Sequence, residues 1–262
     1  MKINRPHPLK VIFSVGKVTL LEVIRDKVLY SSLLIAILIF SVSFLASRLT
    51  FVNPERIVMD FGMTAISLVG AFIAVLIGSN LLNRDFERRT ALVTLSRPMS
   101  RIEFVLGKYF GMIGVLFLNT IILSLFFFFI LDRSGGIVHT SLLLGIFLLW
   151  IQSIFLCAVA LLMSTFSTTS LSVILSVGIY LVGINISQVD FLYQKVNSKI
   201  AKFILRSISE GWPNFEFYNL EETLIYNLPI SSDFVFNAIF YFLFYVVIIF
   251  TLASVLINRK ES

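Results

Sequence analysis

Charge is scarce in this chain, and cysteine, histidine and proline are scarcer. Asp, Glu, Lys and Arg make up 14% of the 262 residues, with one Cys, two His and six Pro. A single Cys, Cys157, makes neither an intrachain disulfide nor a thiolate metal site. Set in an apolar run, it reads as a small buried hydrophobe. His7 and His139 stand far apart with no partner at ligand spacing, so neither points to a metal or a catalytic base. Gly107-Lys108 does not open a phosphate-binding loop. That loop needs Gly five residues earlier and Ser or Thr next, where this chain has Ile102 and Tyr109. No nucleophile, base and acid form a visible set. The expectation is a protein that is not an enzyme and has no nucleotide site, cofactor or metal of its own.

What is abundant is apolar. The chain is 58% hydrophobic with 27 Phe and a mean hydropathy of +0.95. A soluble domain of this size could not bury that much apolar surface, so the bilayer is the expected solvent. The net charge of +6 then reads as topology, because Lys and Arg gather in cytoplasmic loops, and nucleic acid is not an expected partner. The first apolar run starts near Leu29, too far in and too long for a cleaved signal.

The fold class expected is all-α, a polytopic membrane protein with six spans. Residues 1–27 form a cytoplasmic amphipathic helix. Val11, Ile12, Val15, Val18, Leu21 and Ile24 recur at helical spacing against a basic face. The helix either lies in the membrane interface or packs on a partner, and the span that follows directly favours the interface. Residues 28–262 are the six-span transmembrane remainder. Its spans are expected at Val28–Ala46, Phe61–Leu82, Phe104–Leu131, His139–Met163, Leu171–Ile186 and Phe234–Ile257. Gly70, Ala74 and Gly78 form one small-residue stripe for close helix approach, and Gly107 and Gly111 another. Asp132, Arg133, Gly135 and Gly136 predict a tight turn.

The outer loop, 187–233, opens as an amphipathic helix. Lys195, Lys199, Lys202 and Arg206 share one face, and Gly211-Trp212-Pro213 stops it. The aromatic, acidic run after it predicts a packed loop with a short helix. Basic termini and a basic 83–108 stretch place both ends in the cytoplasm under the positive-inside rule. The span interiors hold no ionisable residue away from their ends. That argues against an ion-coupled secondary carrier, which needs such a group. Asn119, Thr120, Ser124, Gln152 and Asn237 are the polar residues at depth, expected to hydrogen-bond between helices.

The longest densely charged stretch is Asn83 to Lys108. Arg84, Asp85, Glu87, Arg88 and Arg89 follow a span, with Phe86, Leu92, Val93 and Leu95 beside them. Mixed charge with a few hydrophobes is the make-up of a docking element, in which charges steer and apolar residues anchor. An ordinary solvated loop fits the charge equally well. Arg97-Pro98 begins a turn. Ser100 can cap the next helix, with Glu103 as its capping-box partner.

The runs Glu87-Arg-Arg-Thr90, Leu95-Ser96-Arg97-Pro98-Met99-Ser100-Arg101 and Leu106-Gly107-Lys108 resemble the signature of ATP-binding-cassette exporter permeases of the second type. The amphipathic start, six spans and long outer loop are similar too, so the likeness covers nearly the whole chain. Trp212-Pro213-Asn214-Phe215-Glu216 resembles, over a shorter stretch, the branch that matures nitrous-oxide reductase and processes copper. The resemblance implies that residues 83–103 form a coupling helix seated on a separate ATPase subunit, with Glu87, Thr90, Pro98, Ser100, Arg101, Gly107 and Lys108 at matched positions. Arg89 departs from it, standing where Gly is usual. It further implies ATP and Mg on that partner, a second permease copy, a surrounding lipid bilayer and a bacterial inner-membrane location. The expected function is ATP-driven export of an amphiphilic or hydrophobic cargo. The alternative is an anchor through which an ATPase works on a periplasmic protein held by 187–233.

Overall fold

A computed structural model describes residues 7–25, 28–50, 53–87, 101–225, 228 and 230–259. Ten α-helices stand among them. The first four are α1 (Pro8–Ile24), α2 (Val28–Leu49), α3 (Pro54–Glu87) and α4 (Arg101–Arg133). Then come α5 (Thr140–Phe166), α6 (Thr169–Gly183), α7 (Ile186–Lys195), α8 (Lys199–Gly211), α9 (Glu221–Ile225) and α10 (Ser232–Arg259), with a 3-10 turn at Glu216–Tyr218. There is no strand among the described residues. A lipid-solvated chain must pair its backbone groups internally, and helices do that segment by segment.

Helices α2, α3, α4, α5 and α10 are each long and apolar enough to cross a bilayer. The fifth predicted span is different. Helix α6 has 15 residues, about 22 Å at helical rise, short of a roughly 30 Å hydrocarbon core. It reaches span length only together with α7, and the two are bent by 64°.

Helix α5 is the centre of the bundle, with every residue from Ile151 to Leu162 buried. Helix α3 packs along it through the Gly70, Ala74, Gly78 stripe. A methyl on Gly78 would stand 2.7 Å from the Ala160 Cβ and 2.8 Å from the Cys157 carbonyl. One on Gly70 would stand 2.4 Å from the Ser153 hydroxyl. Backbones this close give two lipid-solvated helices the van der Waals contact that hydrophobicity alone does not supply.

Helix α4 ends in a Schellman cap. The Gly136 N–H donates to Leu131 O at 3.0 Å and the Gly135 N–H to Asp132 O at 3.2 Å. Gly135 takes φ +82°, which glycine adopts without steric cost. The predicted basic helix of the outer loop is two helices, broken at 196–198. Lys195 closes α7, with its ammonium 4.1 Å from the Phe191 ring centre, while Lys199 opens α8. The four cations therefore do not share one face. Helix α8 stops at Gly211, where Gly-Trp-Pro predicted.

Candidate functional site

Two features of this fold offer chemistry or mechanics beyond packing: the stalk where α3 and α4 run into the charged stretch, and the loop that re-enters the bundle.

Helices α3 and α4 are 34 and 33 residues long, each about 50 Å at helical rise, well beyond the roughly 30 Å of a bilayer core. The apolar part of α3 ends at Asn80. The helix continues through Arg84, Asp85, Phe86 and Glu87, so these four extend the span as a rigid rod and do not begin a separate helix. Helix α4 begins at Arg101, the residue after Ser100. Arg88, Arg89, Thr90, Arg97, Pro98 and Ser100 lie outside the described residues. Two stiff helices thus enter and leave the charged stretch.

Helix α1 packs lengthwise on the first half of α4. Contacts advance in step along both helices. A methyl on Gly107 would meet the Val15 Cβ at 2.7 Å, one on Gly111 the Gly16 carbonyl at 2.6 Å, and one on Gly114 the Leu20 side chain at 2.6 Å. Gly107 and Gly111 therefore seat the amino-terminal helix. The buried face of α1 is Gly16, Thr19 and Val23, whereas Val18, Leu21 and Ile24 of the apolar stripe stay exposed. Lys108 is 5% exposed. Its ammonium lies 5.1 Å from the Phe104 ring centre and interacts with the Glu22 carboxylate of α1. Glu103 is half-buried five residues earlier. Lys108 thus sits inside the seam between α1 and α4 and does not project outward as a docking contact would.

The re-entrant loop runs from Trp212 to Tyr218, and each residue type in it has a task. The Trp212 indole N–H donates to Ile179 O at 3.0 Å, and the Asn214 N–H donates to the Tyr241 hydroxyl at 2.9 Å. The Phe215 N–H donates to Gly183 O at 2.9 Å, and its carbonyl accepts from Gln152 Nε2 at 3.3 Å. Both Glu216 oxygens accept from Ser187, one from its N–H and one from its hydroxyl, at 2.9 and 2.5 Å. That places a carboxylate on the first turn of α7, where N–H groups lack helical partners. The Tyr218 hydroxyl donates to Ala238 O at 3.1 Å. The loop therefore ties α5, α6, α7 and α10 together. Phe215 stacks 4.8 Å from Phe155, near the middle of α5. Irregular backbone survives at that depth only because protein surrounds it. Gly183 permits the approach, since a methyl there would stand 2.5 Å from the Pro213 carbonyl.

Beside the loop, α9 is latched to α3. Glu221 accepts from the Thr64 hydroxyl at 2.5 Å and from Asn219 Nδ2 at 3.4 Å. Burial raises the Glu221 carboxyl above its ordinary value; the Thr64 and Asn219 hydrogen bonds pull it partly back, and the charge of Asp60 adds to the rise. A raised folded-state value makes the latch fully stable below the ordinary carboxylate range and weaker as pH rises through the raised value. Amide-exchange protection of α9, corrected for intrinsic rates, should therefore fall as pH rises above that range. Glu221→Gln should remove the dependence, and an unchanged slope in that variant would sink the assignment.

The aromatic, acidic run predicted a packed loop with a short helix, and the structure has both; which helices that loop ties together was not legible in the sequence. Helix-to-helix hydrogen bonding was the expectation for Gln152, and its amide oxygen also accepts from Ser67 of α3 at 3.3 Å.

The chain has no match among curated proteins. A family model described as ABC-2 family transporter protein matches residues 43–262, which leaves α1 and most of α2 outside the match. Together with the bundle of apolar helices, that match over most of the chain places it in the ABC-2 transporter family, as a membrane permease component of an ABC transporter.

Proposed function

We propose that this permease works as one of two copies, driven by a separate ATPase that binds residues 83–103 and carries ATP and Mg. The observation that carries the reading is the stalk. The motif-bearing stretch joins two helices that continue without a break from the charged end into the packed bundle, and a rigid helix transmits displacement where a loop would absorb it. Movement of α3 passes directly to α5 through the Gly70, Ala74, Gly78 seam. Span interiors without ionisable residues suit an amphiphilic or hydrophobic cargo better than a bare ion, and export in the inner membrane of a bacterium is the direction and place we assign.

Glu87→Lys or Arg101→Glu should leave ATP hydrolysis running while transport falls, when the variant is reconstituted in liposomes with its ATPase. Unchanged transport in both variants would overturn the docking assignment. A second reading rests on the α7–α8 hairpin, which exposes Phe191, Ile200 and Phe203. There the ATPase would do mechanical work on a protein held by residues 187–233. Co-purification of that protein with the hairpin, and no cargo-stimulated ATPase activity, would favour this second reading.

A further inference from the structure

We propose that the groove between α2 and α4, at the end of the bundle away from the Asn83–Lys108 stretch, binds one anionic membrane lipid, with its acyl chain in the groove and its phosphate on Arg48 and Arg133. The groove holds about 660 Å³, inside the roughly 300–1,000 Å³ of ordinary ligand sites. Phe40 forms its floor. Ile37 and Leu45 make one wall, and Phe126 and Phe129 the other. From Ile37 to Arg48 the trough runs about 16 Å along α2 at helical rise. The Ser41 hydroxyl, midway, already donates to Ile37 O at 2.7 Å and makes no demand on a ligand.

Charge is confined to one end. Arg48 and Arg133 stand in the last turns of their helices and both line the groove. Each guanidinium lies over an aromatic ring of its own helix, Arg48 5.1 Å from the Phe44 centre and Arg133 5.4 Å from the Phe129 centre. Stacking holds the planar groups at the rim and leaves their N–H forks for an oxyanion. Among the described residues neither arginine is paired with a carboxylate. Asp132 and Glu55 lie near the same end of the bundle but do not line the groove.

An apolar trough ending in two cations matches an amphiphile with one anionic end. The groove opens sideways from helices that read as membrane spans, with Leu38 and Val42 exposed beside it, so its occupant comes from the bilayer. A symmetric second copy seated here would bring arginine against arginine. A free phosphate would leave the apolar walls empty.

The test is native mass spectrometry of the full chain released from nanodiscs of equal phosphatidylglycerol and phosphatidylcholine. A single retained phosphatidylglycerol should predominate. Arg48→Gln or Arg133→Gln should each reduce that preference about fivefold, and the pair roughly twenty-five-fold, at about 1 kcal/mol per cation. Ser41→Trp, which fills the trough and leaves both charges, should lower retention of the lipid itself. Arg206→Gln on α8 should change nothing. Equal retention of the two lipids by the unmodified chain would overturn the proposal. So would a preference untouched by the double variant, competition by glycerol phosphate at equal strength, or a change of oligomeric state in place of lipid loss.

Discussion

Phe215→Ala is expected to destabilise the permease by about 3 kcal/mol, the lower end of the range for emptying a buried phenylalanine site. The lower end applies because part of the usual transfer term disappears when lipid, not water, surrounds the bundle. The cavity remains. Phe215 is 0% exposed and its ring packs on Phe155 at 4.8 Å and Tyr180 at 5.5 Å, from two different helices. Its backbone is joined to Gly183 and Gln152, so the loop cannot collapse into the void without giving up hydrogen bonds in an apolar setting. Thermal unfolding in detergent, followed by size exclusion, should show a midpoint lower by about 6–12 °C. Phe203→Ala, on a ring that is 74% exposed, should shift it little. Equal shifts in the two variants would show that the re-entrant loop does not hold the bundle together.

Gly78→Ala is expected to destabilise the same fold although it replaces a poor helix former with the best one. The gain in helix propensity is up to about 1 kcal/mol. Against it stands overpacking of about 1–3 kcal/mol, and here the obstacle is rigid. The added methyl would stand 2.8 Å from the Cys157 carbonyl, which is backbone. Gly70→Ala meets a side-chain hydroxyl, which can rotate once it gives up its bond to Leu149 O, so it should cost less. Gly178→Ala has nothing within 4 Å of the new methyl and should stabilise α6 by about 0.4–1 kcal/mol. The expected order of unfolding temperatures is therefore Gly178→Ala, unmodified, Gly70→Ala, Gly78→Ala. A Gly78→Ala variant as stable as the unmodified chain would refute the close α3–α5 seam. The same variant also bears on function. A loosened seam should reduce transport more than ATP hydrolysis, because that seam is the path by which α3 moves α5.

Much of this fold was legible before any coordinates. Uninterrupted apolar runs of span length leave one solution in lipid, a helix, so α2, α3, α4, α5 and α10 follow from hydropathy. The Asp132–Gly136 turn and the stop at Gly211 follow from local chemistry, because glycine and proline act on their own backbone. The charged stretch was visible as composition, and its motif resemblance agrees with the family match. What sequence could not decide are contacts between residues far apart in the chain. Gly107 and Gly111 form a close-approach stripe on any reading, but only the fold shows that the amino-terminal helix occupies it and that Lys108 is buried beneath it. Hydropathy places Trp212–Tyr218 outside the membrane because a window average cannot register a loop whose partners are 20 to 63 residues away. Gly183 and Gln152 admit it to the middle of α5 by supplying, respectively, space and a hydrogen bond. Periodicity fixes which residues share a face of one helix, whereas the partner of that face depends on long-range packing, which local sequence does not encode.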